Sequence, residues 1–227
     1  MSGEGDASAA ERAGSAFANL VATMARLRAP GGCPWDAEQT HQSLAVHLVE
    51  EAHETLDAID SGNMDDLKEE LGDLLLQIVF HSEIAAESDH FEVAGVIEDL
   101  VAKLVHRHPH VFGGVQVSGS AEVVANWEAL KKEQKGRTTL TDGLPQGLPA
   151  LIYAHKVIRR AFGVGHEVSP SAERLLKLAA AAGEEVSDES IGELLLEAVA
   201  LAGSAGIDPE GALRRRANEL LGEAGKL

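Results

Sequence analysis

Cysteine occurs once in the 227 residues, at Cys33. A single thiol excludes an intrachain disulfide framework and suits a reducing compartment, so the cytoplasm is the expected location. Basic residues are scarce: 19 Lys and Arg face 37 Asp and Glu, a formal charge of −18. A field of that sign repels phosphate backbones, which argues against nucleic acid as a partner. No uninterrupted apolar run approaches the roughly 18 residues of a membrane span, so no membrane partner is expected. Residues 1–16, rich in Gly, Ser and Ala, lack the basic start and apolar stretch of a signal peptide and are expected to form a flexible tail. Neither a Gly-x-Ser-x-Gly elbow nor a Walker-type loop occurs, and Cys33 has no evident catalytic partner, so covalent catalysis is disfavoured.

Aromatic residues make up only 4%, and alternating β-branched runs are few, whereas Ala, Leu and Glu recur with helical period. The chain therefore reads as all-α. Helices are expected over about 16–28, 40–60, 64–87, 92–108 and 121–135, with the Ser61-Gly62-Asn63 turn folding the second and third into an antiparallel hairpin. Residues 136–149 read as a linker. Beyond them, helical patterns near 150–162, 172–182, 190–202 and 210–221 echo the first part, because Glu69-Glu70-Leu71-Gly72-Asp73-Leu74-Leu75-Leu76 aligns with Glu189-Ser190-Ile191-Gly192-Glu193-Leu194-Leu195-Leu196. The expected organisation is a tail (1–16), a catalytic domain (17–135), a linker (136–149) and a degenerate helical copy (150–227).

Two acidic clusters stand on the hairpin, Glu50-Glu51-Ala52-His53-Glu54 and Glu69-Glu70-Leu71-Gly72-Asp73. On a wheel with Leu48 at zero, Ala52, Thr55 and Ile59 mark an apolar face, with Glu51 near about 300° and Glu54 near about 240°. With Leu67 at zero, Leu71, Leu74 and Ile78 mark the matching face, and Glu70 and Asp73 fall at the same two angles. Glu50 and Glu69 both fall near about 200°, away from the core side. Four converging carboxylates repel unless a cation sits between them, and hard oxygen donors select Mg²⁺ or Mn²⁺. One such cluster alone would read as a solvated face; two at matched angles on consecutive helices favour a metal site. A di-iron bundle needs a second Glu-x-x-His motif, and none accompanies Glu70 and Asp73.

Lys103 and Arg107 lie four apart on one helix, and Trp127 and Lys131 on another, with Lys132 and Lys135 nearby. Such spacing suits two oxygens of a polyphosphate, or equally a solvated helix face. Pro109 disperses the directions of His106, His108 and His110. Trp35, in Cys33-Pro34-Trp35-Asp36, reads as a loop anchor before a base contact.

Together these residues resemble the MazG family of nucleoside triphosphate pyrophosphohydrolases. Its motif, Glu-Glu-x-x-Glu then Glu-Glu-x-x-Asp, is filled by Glu50, Glu51, Glu54 and Glu69, Glu70, Asp73 with fourteen residues between, and Gly32-Cys33-Pro34-Trp35-Asp36, the stretch Arg107 to Phe112, and Trp127-Glu128-x-x-Lys131 are also similar. The resemblance covers roughly residues 27–135. It implies an all-α bundle completed by dimerisation or a higher homo-oligomer, Mg²⁺ (or Mn²⁺) held by Glu51, Glu54, Glu70 and Asp73, and hydrolysis of a nucleoside triphosphate, ordinary, non-canonical or oxidised, to monophosphate and pyrophosphate. It implies substrate contacts at Lys103, Arg107, Trp127 and Lys131. Glu50 and Glu69 are both candidates to orient the attacking water, and nothing in the sequence chooses between them. The second half carries Ser190 in place of an acid, and Glu219 and Glu223 where Lys103 and Arg107 stand, so no catalysis is expected there. The alternative function is a nucleotide- and metal-binding regulatory module that does no chemistry.

Overall fold

The computed structural model describes residues 3–134, 139, 142–163, 165 and 169–224. All its regular elements are helices, and no strand occurs among the described residues. Lys135 and most of the first half of the expected linker lie outside that set. The chain divides into two compact units, Met1–Trp127 and Glu128–Leu227.

The first unit is built on α1 (Gly3–Arg28), α2 (Pro34–Glu38), α3 (Ala45–Ser61), α4 (Met64–Ala86), α5 (Val93–Arg107) and α6 (Pro109–Phe112), and α7 (Ser120–Gln134) runs out of it. Helix α1 begins well before residue 16, so residues 3–16 are helical where a flexible tail was expected. The alanines at 7, 9, 10, 13 and 16 supply the reason, since Ala has the strongest helix propensity and outweighs the interspersed Gly and Ser. Helix α3 starts later than expected, because residues 41–44 form a turn.

Helices α3 and α4 pack as an antiparallel hairpin. Gly62 closes α3 in the left-handed region at φ 72°, a conformation that a Cβ would strain. Asn63 then caps α4, its side chain accepting from the backbone N–H of Asp65 at 3.0 Å and of Asp66 at 3.5 Å. These two residues set the register of everything above them. The core lies at the other end of α4, where Met24 of α1, Leu44, Val79 and Phe80 are buried together, with Phe17, Leu20, Leu27 and Leu76 against them.

The second unit holds α8 (Ala150–Phe162), α9 (Ala172–Glu184), α10 (Asp188–Ser204) and α11 (Pro209–Ala224). Here α9 and α10 pack on each other, and α8 and α11 pack on α10. The buried positions of α10, Glu197, Val199 and Ala200, stand 120 residues after the buried Gln77, Val79 and Phe80 of α4, the same offset as in the sequence alignment. Gly203 lets α8 approach closely, since a Cβ there would meet the His155 ring at 3.2 Å.

Candidate metal and nucleotide site

The hairpin turn places the acids by simple counting. Glu51 and Asp73 each lie eleven residues from Gly62, and Glu54 and Glu70 each lie eight, so antiparallel packing sets the pairs opposite each other. Carboxylate oxygens of Glu51, Glu70 and Asp73 all lie within 4.8 Å of one another, and all three residues are half-buried. Glu54 is exposed at the edge of this group and makes a side-chain hydrogen bond that acts on Glu51.

The position of this cluster differs from the wheel expectation in one respect. The acids lie on the inner side of the hairpin: Thr55, Ala58, Glu51, Leu74 and Gln77 are turned inward, whereas Ile59, Leu71 and Ile78, expected in the core, are about half exposed. Among the described residues of this unit, nothing covers that apolar stripe.

Electrostatics agree with that placement. Removal from water raises the Glu51 carboxyl above the ordinary range, reinforced by the negative charges of Asp73 and Glu54 and by Glu70. Glu70 is raised for the same first reason, with Glu54, Asp73, Glu69 and Asp66 adding repulsion. Like charges held this close favour either protonation or a cation. An all-carboxylate set of three oxygens at this spacing, with solvent at its edge, fits a hard divalent ion. Glu51, Glu70 and Asp73 are therefore the residues that could hold one, with Glu54 beside them.

The polar stripe on α4 continues past the acids. Gln77, 5% exposed, and His81 follow Asp73 at one-turn spacing, and Gln77 Oε1 and His81 Nε2 are buried without a hydrogen-bond partner among the described residues. His81 Nδ1 lies 2.8 Å from His41 Nδ1, and burial, then the neighbouring His41, holds the His81 imidazole below its usual pKa.

The remaining expected residues are spread over the first unit and α7. Glu50 is exposed and pairs with His47, Nδ1 to Oε2 3.0 Å, and Glu69 is exposed on the outer side of α4. Lys103 is exposed on α5, while the Arg107 guanidinium lies 5.2 Å from the centre of the Trp127 ring. The ring of His108 meets Trp127 edge-on at 4.9 Å, and its Nδ1 donates to Leu104 O at 2.7 Å. Lys131 follows Trp127 by four residues on α7. Sequence reasoning missed His47 and His108 as partners of Glu50 and Trp127. The three-residue spacing of His47 and Glu50 was a readable signal; the packing of His108 on Trp127, nineteen positions away, was not.

Comparison with known proteins accords with this geometry. Residues 39–112 match the model of the MazG nucleotide pyrophosphohydrolase domain, a span that contains all six acids, Lys103 and Arg107. The chain is 41% identical over 208 residues to an uncharacterized 26.1 kDa protein from Streptomyces cacaoi, covering 90% of this chain and 79% of that one. It is 39% identical over 214 residues to the nucleoside triphosphate pyrophosphohydrolase/pyrophosphatase MazG of Thermotoga maritima, covering 90% and 82%. Identity to the nucleoside triphosphate pyrophosphohydrolase of Mycobacterium tuberculosis is 44% over 154 residues, covering 67% and 46%.

Proposed function

The chain belongs to the MazG family, and we propose that it is a cytoplasmic, Mg²⁺- or Mn²⁺-dependent enzyme that hydrolyses nucleoside triphosphates to monophosphate and pyrophosphate. The observation that carries the proposal is the convergence of Glu51, Glu70 and Asp73 within 4.8 Å on the inner side of the hairpin.

These three acids would hold the metal, with Glu54 beside them. A divalent cation held there would neutralise the carboxylates, make water more acidic and offset charge on the triphosphate. In the proposed reaction a water oxygen bonds to the α-phosphorus as the bridging α–β P–O bond breaks, and the pyrophosphate leaves with the electron pair. Glu50 or Glu69 would orient that water, whose proton is released to solvent. Lys103, Arg107 and Lys131 bind the oxygens of the departing pyrophosphate, a role their permanent positive charge suits. Trp127, with Arg107 over its ring, lends a flat surface to the same region. The physiological role we infer is removal of unwanted nucleotides, oxidised or otherwise non-canonical, from the pool.

A homodimer or higher homo-oligomer belongs to the same reading. The apolar stripe of Ile59, Leu71 and Ile78 continues on α5 with Ile97, Leu100, Val101 and Leu104, all substantially exposed. Helix α5 has no buried residue. A patch of that extent calls for another surface. In the second unit the missing acid at Ser190 supports reading residues 150–227 as a copy that does no chemistry.

The test is product identification with a panel of ordinary and oxidised nucleoside triphosphates in the presence of Mg²⁺ or Mn²⁺, run in ¹⁸O-labelled water. The proposal expects equal amounts of pyrophosphate and monophosphate, with the label in the monophosphate. Release of orthophosphate, or nucleotide binding without turnover across the panel, would overturn it.

A further inference from the structure

We propose that α2 is a fixed arm of the substrate site, that the exposed face of Trp35 beside His47 takes the nucleoside end of the substrate, and that Arg28 is the positioning residue that holds the arm in place. This rests on the nucleotide-hydrolase reading above and adds to it the element that meets the base.

Helix α2 is five residues long and buries none of them, so packing alone does not fix it. Hydrogen bonds do. Arg28 at the end of α1 is 9% exposed, and its Nε and Nη2 donate to the two oxygens of Glu87, each at 2.7 Å. With the guanidinium locked in that fork and lying 5.4 Å from the centre of the Phe80 ring, Nη1 is left to donate to the backbone carbonyls of Asp36 and, at 3.3 Å, Gln39. The chain can double back to reach it because Gly32 lies flat on the end of α1: a Cβ there would stand 2.2 Å from Leu27 O, and Cys33 N donates to that same carbonyl at 2.7 Å. Gln39 in turn donates to Trp35 O at 2.9 Å and accepts from Ser43 Oγ at 2.8 Å, tying α2 to the turn that opens α3.

The arm presents an indole that is more open than covered. Trp35 is 54% exposed, an unusual state for the largest apolar side chain, so the anchor reading taken from sequence does not hold. Its ring meets His47 at 6.4 Å with an interplanar angle of 61°, and His47 holds Glu50, the neighbour of Glu51. An open indole edged by an imidazole, one helical turn before the acid cluster, is suited to a planar aromatic group attached to a polyphosphate. Stacking of this kind is tolerant of base identity.

Three forms of the protein test this: wild type, Trp35→Leu and Arg28→Lys, the last keeping the charge but losing the fork. Affinity for an α,β-methylene nucleoside triphosphate and for inorganic tripolyphosphate is measured by calorimetry with Mg²⁺, beside KM and kcat for the hydrolysable nucleotide. Both variants are expected to lose about tenfold in nucleotide affinity and to raise KM by the same factor, with kcat within about twofold. Tripolyphosphate, which has no base, should bind all three forms equally, and Trp35→Phe should recover most of the loss. Unchanged nucleotide affinity in Trp35→Leu, or an equal loss for tripolyphosphate, would overturn the inference. Because Trp35 is exposed, that variant folds even if Arg28→Lys does not. Absence of hydrolysis by the wild type would instead count against the enzymatic reading, since the methylene analogue reports on the arm without turnover.

Discussion

Glu51 and Glu70 are held where each is harder to ionise than in water, and the fold tolerates this because neutral or cation-bound forms relieve it. Replacing Glu70 by Gln should therefore raise the melting temperature of metal-free protein while abolishing the further rise that Mn²⁺ gives the wild type, as thermal unfolding with and without chelator will check. Arg28 and Glu87 show the opposite balance. The guanidinium fork holds the Glu87 carboxyl below the ordinary range, a hydrogen-bond effect first, opposed by partial burial and aided by charge. A depressed carboxylate stabilises the fold above the unfolded value of about 4.3, and that contribution is lost as pH falls through the folded value. The stability difference between wild type and Glu87→Gln should thus be full at pH 7 and shrink below about pH 5, measured by urea unfolding at several pH values. Arg28→Ala should cost about 2 kcal/mol, moderated by the exposure of Glu87.

At the scale of elements, the Gly62-Asn63 turn decides whether the acids meet at all. Gly62→Ala forces a Cβ into the left-handed region and should cost about 1 kcal/mol. Asn63→Ala removes the cap of α4 and should cost a similar amount, about 1 kcal/mol, both read from denaturant midpoints. Helix period and turn residues made this hairpin legible in the sequence, and matched angles on the two helices made the convergence of Glu51, Glu70 and Asp73 legible too. The side of the helices that faces inward was not. Leu71 and Ile78 form a proper apolar stripe, and a pattern of that kind says that a surface is to be covered without saying by which chain. Helix α2 escaped notice because five residues with no buried member carry no period; only Pro34 in its first turn hinted at it. Residues 3–16 are helical because the five alanines among them outweigh the Gly and Ser that suggest a tail.

For the whole molecule, the exposed faces of α4 and α5 carry the prediction. Wild type should sediment as a dimer or larger, and Leu100→Glu, which places a charge in the middle of the α5 stripe, should shift it toward monomer while leaving the helical circular dichroism intact. The common register of buried positions in α4 and α10 is what a duplicated chain would retain, with Ser190 standing where Glu70 stands. Arg28 and Glu87, 59 residues apart, illustrate a contact for which the sequence held no local signal.

Direct titration of Mn²⁺ into chelator-treated protein, followed by calorimetry, addresses the acid cluster most plainly. Wild type is predicted to bind saturably, and Glu51→Gln and Asp73→Asn, isosteric at the cluster and made separately, are predicted to weaken that binding at least about tenfold, since each removes one of the few charged ligands such a site possesses. Equal Mn²⁺ affinity in wild type and both variants would contradict the assignment of the inner face of this hairpin as a cation site.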